Sequence, residues 1–448
     1  MALRIIVIGS GAAGMTAASA ARSADPAAEI TLFTEDEHVS YSPCVIPWAI
    51  EGKVSWEGMV MHAPEYYARE RNIKIFTKTA ATVDGDAKKV SAGGREYEYD
   101  SLVIAAGSKP FLPPIPGAGL DGVFTVKTVG DGKRIQKAVG STDRVAIAGA
   151  GVIGLEIAAG LAGMGKKVTV IEMMDQAIPR IADRDMADPV QRRLEEMGVE
   201  FAMSAPVQSV SGEGSVSGIV AGGREYPCGA VIFATGVRAC LDIPKAMGLD
   251  IGILGGVAVS PTLQPYKKGR LVPGVYLAGD LVQCESAAVP GPTMSQLGST
   301  AVRQGAVAGR NAAGGRETFG PVASPWVSVI GGKHIAGAGI STGLASWYGV
   351  DVVSGKATGL TRARYYPGAG ELTVKVLAER SSRRIIGAQI LADEDATGRI
   401  DWLASAIAAG ASADGFLARS ENAYCPPTSM VRDVVVSAVE DLVANLGA

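Results

Sequence analysis

The side chains in this sequence that can carry redox chemistry are its cysteines. There are five, at positions 44, 228, 240, 284 and 425, and no two are spaced as Cys-x-x-Cys. This spacing argues against a structural zinc site and against a disulfide scaffold. Histidine occurs three times, so a histidine-rich metal site is not expected either. A single cysteine can still form a mixed disulfide with a small thiol, or be oxidised to a sulfenic acid or a persulfide.

Two glycine motifs point to a second kind of chemistry, the binding of phosphates. The first is Gly9-Ser-Gly11-Ala-Ala-Gly14, and the second, 140 residues later, is Gly149-Ala-Gly151-Val-Ile-Gly154. In such a G-x-G-x-x-G turn the glycines allow a tight turn, the approach of a pyrophosphate, and close packing of a helix on a strand. The N–H groups at the start of the following helix attract the phosphates. Two copies predict two bound dinucleotides.

The residues around both motifs are typical of a βαβ unit. An acid about 20 residues after the glycines binds the ribose hydroxyls in such units. We therefore expect Glu35 and Glu172 to be the two ribose ligands. The strands predicted from their apolar runs are Arg4–Ile8, Glu29–Phe33, Arg144–Ala148 and Lys167–Ile171.

Three more apolar strands end in glycine, at Gly107, Gly236 and Gly279, and the last is followed by Asp280. Glycine motifs stop near residue 320, and hairpin strands and amphipathic helices follow. The predicted fold class is α/β, with two Rossmann-like nucleotide-binding domains and a C-terminal α+β domain. The predicted boundaries are 1–110 and 245–320 for the first nucleotide domain, 111–244 for the second, and 321–448 for the C-terminal domain.

Composition excludes several other classes of protein. Lys plus Arg is 42 and Asp plus Glu is 45, so the net charge is -3 and gives no basic footprint for nucleic acid. Hydrophobic residues make up 47%, which is enough for packed cores and too many for general disorder. Because no apolar run reaches the ~18–20 residues that cross a bilayer, we expect a cytoplasmic protein without a membrane span and with reduced thiols.

Together, the two glycine motifs, Gly107, Gly236 and Gly279-Asp280 resemble the flavin-dependent pyridine nucleotide–disulfide oxidoreductases over essentially the whole chain. The resemblance implies FAD at the first motif, with the aspartate on its ribityl chain, and NAD(P)H at the second. It also implies that the C-terminal domain is a dimerisation domain and that the protein is a homodimer. The family's usual FAD-ribose acid aligns with Thr34, one residue before Glu35.

The segment Ser40-Tyr41-Ser42-Pro43-Cys44 resembles the single-cysteine branch of that family. This branch contains coenzyme A-disulfide reductases, NADH oxidases, NADH peroxidases, and persulfide or polysulfide reductases. By this resemblance Cys44 is the redox-active thiol. The glutathione reductase branch matches poorly, because its second cysteine falls at Ala49 and its His-Pro pair is replaced by Tyr424-Cys425-Pro426. Val45-Ile46 stands where the single-cysteine branch often has Gly-Leu.

Tyr424 is predicted to assist the redox cysteine, because a tyrosine hydroxyl can protonate a leaving thiolate. By resemblance to coenzyme A-disulfide reductases, Tyr365 or Tyr366 is a second candidate, and the sequence does not choose between them. Ordinary packing explains these two tyrosines equally well. Arg22 resembles a family contact to the phosphates of coenzyme A, and a solvated arginine at a helix end explains it equally well.

Two positions narrow the range of activities and the choice of nicotinamide cofactor. NADH oxidases and peroxidases of this branch carry a histidine inside the first glycine motif, whereas this chain has Ala12, which resembles the coenzyme A-disulfide and persulfide reductases. Glu172 favours NADH over NADPH, because a carboxylate accepts hydrogen bonds from a 2′-hydroxyl and repels a 2′-phosphate. Arg180 and Lys167 are the cations that weigh against this preference.

Two functions remain open. In the first, a homodimeric enzyme passes electrons from NADH through flavin to a small-molecule sulfur acceptor at Cys44: coenzyme A disulfide, a persulfide or a polysulfide. In the second, the chain is an FAD- and NAD(H)-binding electron-transfer subunit of a larger complex, such as a 2-oxoacid dehydrogenase. The second function requires an iron–sulfur partner protein, because the chain has no cysteine cluster of its own. NADH oxidase is a less favoured third function.

Overall fold

A parallel five-stranded sheet carries the first glycine motif in the computed structural model, which describes residues 2–447. Alternate residues of its first strand enter two different cores, Ile5 and Val7 on one face and Ile6 and Ile8 on the other. This double burial explains the unbroken apolar run in the sequence. The strand order is Val275–Leu277, Ser101–Ile104, Arg4–Ile8, Glu29–Phe33, Ile73–Phe76.

A second parallel five-stranded sheet repeats this arrangement around the second glycine motif. Its central strand again sends Ile147 into one core and Ala146 and Ala148 into another. The two sheets therefore present equivalent edges at the carboxyl ends of their strands, where nucleotides bind in such folds. The strand order is Glu200–Ala202, Lys167–Ile171, Arg144–Ala148, Ala230–Phe233, Val123–Thr125.

The C-terminal part is built on an antiparallel sheet. Its central strands are buried on both faces, with Ile335 and Leu391 in the core around the second glycine motif and Ala336 and Ile390 in a separate core. These strands therefore alternate less strictly than surface strands. The strand order is Trp326–Ile330, Lys333–Gly339, Ile385–Ala392, Glu371–Glu379, Val352–Leu360.

Smaller sheets and twelve helices within residues 2–447 complete the chain. Three-stranded sheets are formed by Ala81–Asp84, Lys89–Ala92 and Arg95–Glu98, by Val207–Glu213, Ser215–Ala221 and Arg224–Pro227, and by Val257–Ala258, Val282–Glu285 and Pro292–Thr293. Two-stranded ones are formed by Ser108–Pro110 with Val237–Ala239, and by Tyr266–Lys267 with Arg270–Leu271. The helices are α1 (Ala12–Ala24), α2 (Ile46–Ile50), α3 (Pro64–Arg71), α4 (Val129–Gly140), α5 (Val152–Gly163), α6 (Arg184–Glu196), α7 (Asp242–Ala246), α8 (Gly298–Ala312), α9 (Thr342–Trp347), α10 (Thr397–Ala408), α11 (Ala413–Arg419) and α12 (Val434–Gly447).

The predicted fold class is confirmed, with two Rossmann-like sheets and a C-terminal α+β unit. The last helix, Val434–Gly447, packs its apolar face on the C-terminal sheet. The domain boundaries stay predictions. Across residues 2–447, every helix is too short or too polar to cross a bilayer.

Candidate functional site

A cavity of about 2240 Å³ is lined by residues of the first nucleotide sheet, of the C-terminal sheet, and of the loops and the helix around the second glycine motif. Both glycine motifs contribute to its wall. The predicted site residues that line it are Gly9, Gly11, Glu35, Cys44, Gly107, Gly151, Gly236 and Asp280.

The first glycine motif has the geometry of a phosphate cradle. Gly9 has a positive φ of 105°, and a Cβ there would lie 2.2 Å from the carbonyl oxygen of Ala105. A Cβ on Gly14 would lie 1.9 Å from the carbonyl oxygen of Gly9, so these two glycines bring α1 against the strand. Gly11 differs, because its Cβ would meet nothing within 4 Å and would point into open space at the start of α1. The open position leaves room for the pyrophosphate of FAD.

The second motif repeats this geometry residue for residue. Gly149 has a φ of 108°, and a Cβ there would lie 2.5 Å from the carbonyl oxygen of Ala234. A Cβ on Gly154 would lie 2.1 Å from the Gly149 carbonyl oxygen, whereas one on Gly151 would meet nothing within 4 Å. The residues present therefore fit a second dinucleotide at the start of α5.

Asp280 lines the cavity, and one of its carboxylate oxygens accepts two hydrogen bonds. Its Oδ2 accepts from Ser108 Oγ at 2.7 Å and from Lys127 Nζ at 3.2 Å. Gly107 and Gly236 have φ values of 68° and 93°, with open space where a side chain would be. The predicted contact of Asp280 with the ribityl chain stays a prediction, and its second oxygen is the one left to make it.

The two predicted ribose acids lie in different environments. Glu35 is exposed at the cavity wall. Glu172 is 6% exposed and does not line the cavity. Its two oxygens accept the backbone N–H groups of Ala150 and Met174, at 2.8 and 2.9 Å. Glu172 therefore holds the second glycine turn against its strand, and its contact with a ribose stays a prediction.

Cys44 is exposed and lines the cavity, on a single 3-10 turn, Pro43–Val45, that leads into α2. Cys228 and Cys284 are buried, and burial raises the pKa of each thiol to about 11. Cys240 also lines the cavity, half-buried, and burial raises its pKa. Cys44 is thus the one exposed thiol of the cavity wall among the described residues.

The structure brings two predicted tyrosines together, although not with Cys44. The hydroxyl oxygens of Tyr365 and Tyr424 are 2.5 Å apart, and this hydrogen bond raises the pKa of Tyr424. Both side chains are exposed, and neither lines the cavity of the same chain. Tyr366 lies beside them and packs under the guanidinium of Arg362. The catalytic assignment of the three tyrosines stays a prediction.

The guanidinium of Arg22 donates hydrogen bonds to the main chain. Its guanidinium donates to the carbonyl oxygens of Asp25, Pro26, Arg71 and Asn72, at 2.8 to 3.2 Å, and the residue does not line the cavity. These bonds tie the end of α1 to the end of α3. The prediction that Arg22 contacts coenzyme A phosphates finds no support in this geometry.

Sequence reasoning missed several polar groups of the cavity wall. Tyr41 donates to Asp36 Oδ2 at 2.6 Å, and burial and this bond raise the pKa of Tyr41. Glu156, on α5, accepts from Ser328 Oγ at 2.6 Å, and burial raises its pKa. The position of Tyr41, three residues before Cys44, is a sequence signal from which it could have been found. Glu156 has no such signal, because its partner Ser328 is 172 residues away. Over residues 2–447, no group of three or more His, Cys, Asp or Glu side chains is arranged to hold a metal ion.

The open glycine positions predict which cofactor each motif holds. Gly11→Ala should fold normally and weaken FAD binding by about 10-fold or more, because its methyl group enters the space left for phosphate. Gly151→Ala should keep FAD and weaken NADH binding similarly. Titration of apoprotein with FAD, and calorimetric titration of flavin-loaded protein with NADH, measure the two affinities. Each variant is the control for the other, and equal effects of both on FAD would contradict the assignment.

The five thiols should differ sharply in reactivity. In native protein at pH 8, iodoacetamide should label Cys44 about 100-fold faster than Cys228 or Cys284, because thiolate is the reactive form and both buried thiols have pKa values near 11. Peptide mass spectrometry over a time course measures the rates. In guanidinium the difference should disappear; early labelling of either buried thiol in native protein would refute the ranking.

Comparison with known proteins shows the family to which the chain belongs. Residues 3–305 match the family Pyridine nucleotide-disulphide oxidoreductase, and residues 328–434 match the dimerisation domain of the same family. A protein of Methanocaldococcus jannaschii named NADH oxidase is 41% identical, over 99% of each chain. A protein of Pyrococcus horikoshii named NAD(P)H coenzyme A polysulfide/persulfide reductase is 30% identical, over 97% of each chain.

A solved structure agrees with this match. The NAD-dependent persulfide reductase from A. fulgidus superposes with a TM-score of 0.93 at 33% identity, over 99% of this chain and 83% of that one. The resemblance inferred from the glycine motifs is therefore confirmed. The chain belongs to the pyridine nucleotide-disulphide oxidoreductase family, whose members are flavoproteins that bind FAD and NAD(P)H.

Proposed function

We propose that this protein uses NADH to reduce a small sulfur compound, through FAD and the thiol of Cys44. The observation that carries the proposal is that Cys44 is an exposed thiol in the same cavity as both glycine cradles. The sulfur compound is a coenzyme A disulfide, a persulfide or a polysulfide. Relatives over nearly the whole chain that are named for such acceptors support this class.

The thiol chemistry follows from the properties of sulfur. The Cys44 thiolate attacks one sulfur of the acceptor, forms a mixed disulfide or a persulfide, and releases the other sulfur as a thiolate or hydrosulfide. Two electrons then cleave this new bond, which regenerates the Cys44 thiolate and releases the bound sulfur as the second thiolate from a mixed disulfide or as hydrosulfide from a persulfide. FAD, when bound, supplies those two electrons and is itself recharged by NADH. Residues of the first cradle and Asp280 hold FAD, and residues of the second hold NADH.

A proton donor is needed for the departing thiolate. We assign this role to Tyr424, hydrogen-bonded to Tyr365, reaching Cys44 across a homodimer interface. Both side chains are exposed and lie outside the cavity of their own chain, which fits a role in a neighbouring subunit. The match of residues 328–434 to the dimerisation domain supports the homodimer.

NADH is the proposed electron donor. Glu172 places a negative charge at the end of its strand, and Met173 and Met174 follow it without an adjacent arginine. Arg180, exposed at the cavity wall, is the cation with which a 2′-phosphate could pair.

NADH oxidase activity is the second candidate, because a relative 41% identical over 99% of each chain carries that name. Ala12 argues against it, since it offers no polar group beside the first glycine turn. Oxygen uptake by the protein with NADH alone, compared with polysulfide reduction under anaerobic conditions, separates the two. A faster turnover with oxygen than with any sulfur acceptor would favour the oxidase.

Replacing the thiol tests the proposal. Cys44→Ser keeps the size of the side chain and removes the sulfur that forms the covalent bond, so turnover with coenzyme A disulfide or polysulfide should fall by orders of magnitude. Reduction of the flavin by NADH, followed by stopped-flow absorbance, should survive. Tyr424→Phe should give a milder loss, about 10²-fold, because it removes proton donation alone.

The matched control is Cys240→Ser, which changes the other thiol of the cavity wall and should leave turnover unchanged. Full activity of Cys44→Ser on the sulfur acceptor would reject the proposal. The alternative of an electron-transfer subunit with an iron–sulfur partner would then be the better account.

A further inference from the structure

The helix that follows Cys44, α2, packs with the second nucleotide sheet rather than with the first. In chain order α2 lies between two strands of the first sheet, Glu29–Phe33 and Ile73–Phe76. Yet Ile46, Ala49 and Ile50 are at most 1% exposed, in the same core as the strands and helices around the second glycine motif. The apolar face of α2 is therefore buried against a unit from which it is separated in sequence.

Helix α4 packs closely on this segment. A Cβ on Gly132 would lie 2.4 Å from Cη2 of Trp56 and 2.9 Å from Cγ2 of Ile46. Any larger residue would push α4 away from the helix that follows Cys44. The backbone of α4 thus packs directly against α2 and Trp56.

One side chain of α4, Gln136, forms hydrogen bonds both to α2 and to Trp56. Its Nε2 donates to the carbonyl oxygens of Ala49 and Ile50, at 2.9 and 3.2 Å. Its Oε1 accepts from Nε1 of Trp56 at 2.8 Å. The orientation of the amide is determined, because the indole can only donate and the carbonyls can only accept. Gln136 therefore satisfies carbonyls at the end of a short helix, which leaves several without internal partners.

The same helix is tied to the predicted flavin side of the cavity. Lys127, two residues before α4, donates to Asp280 Oδ2 at 3.2 Å and to Ser108 Oγ at 2.9 Å. A capping box between Thr128 and Asp131 fixes the start of the helix. Lys127 and α4 thus form one continuous segment that contacts Asp280 at its start and α2 further along.

We propose that Gln136 is a positioning residue for the thiol, and that it sets the distance of Cys44 from the redox cofactor by anchoring α2 on α4. The inference rests on the proposed function, in which Cys44 is the reacting thiol. Pro43 and Cys44 are exposed, and Ser42 makes no side-chain cap on their turn. The place of the thiol therefore depends on the helix that follows and on the bond of Tyr41 to Asp36 before it. A displacement of about 1 Å between reacting groups can lower a rate by about 100-fold.

Gln136→Glu tests this with almost no change of shape. The carboxylate still accepts from Trp56, but it faces the Ala49 and Ile50 carbonyls without hydrogens to donate. We expect kcat with polysulfide to fall at least about 10-fold, with the KM for polysulfide within about twofold of wild type. Flavin content and the rate of flavin reduction by NADH should stay unchanged. Hydrogen exchange of the α2 amides should rise about 10-fold, which is a readout independent of turnover.

Gln191→Glu is the matched control, since it makes the same change on α6, where the amide donates to Glu195. It should leave kcat and α2 exchange unchanged. If Gln136→Glu does not fold, Trp56→Phe decides, because it removes one donor of the same network and should change both readouts in the same direction.

Wild-type kcat and wild-type α2 exchange in Gln136→Glu, or in Trp56→Phe where it decides, would overturn the inference, as would a raised KM with unchanged kcat. Failure of the proposed function is recognised separately. In that case Cys44→Ser itself keeps its turnover with polysulfide.

Discussion

The structure depends on two places where a helix approaches a strand more closely than any side chain would allow. At Gly14 and at Gly154 a Cβ would come within 2.1 Å of a main-chain carbonyl oxygen. These contacts set α1 and α5 directly over the carboxyl ends of their sheets, so that their N-terminal N–H groups face the cavity. Each motif leaves its middle glycine open, which is where we propose that phosphate is accommodated. Dinucleotide binding thus follows from the absence of side chains at a few positions.

A second constraint concerns the segment that carries the thiol. It is inserted between strands of one nucleotide sheet and packs into the core of the other, against α4. Such an arrangement brings an exposed cysteine into a cavity that both glycine motifs line, while four of the five residues of the helix that follows it are buried. Rigid support and an exposed reactive atom are the combination that a covalent redox step requires.

Features that are local in sequence could be predicted, and those that depend on distant contacts could not. The βαβ units, the glycine turns and the fold class follow from short patterns, and the structure confirms the fold class. Cys44 could be predicted to be the redox-active thiol from its immediate neighbours in the sequence. The bonds of Gln136 to Ala49 and Ile50 span more than 80 residues and have no signal in either segment. Likewise, nothing in the sequence near Glu172 indicates that two backbone N–H groups hold its carboxylate, or near Arg22 that four carbonyls hold its guanidinium.

The central claim is that Cys44 itself forms a covalent bond with the sulfur acceptor. Mass spectrometry of the native protein, incubated without oxygen or NADH with coenzyme A disulfide, measures this directly. We predict one coenzyme A per chain on the Cys44 peptide, and its loss when NADH is added. An unmodified Cys44 peptide in protein that nevertheless turns over the disulfide would contradict the account.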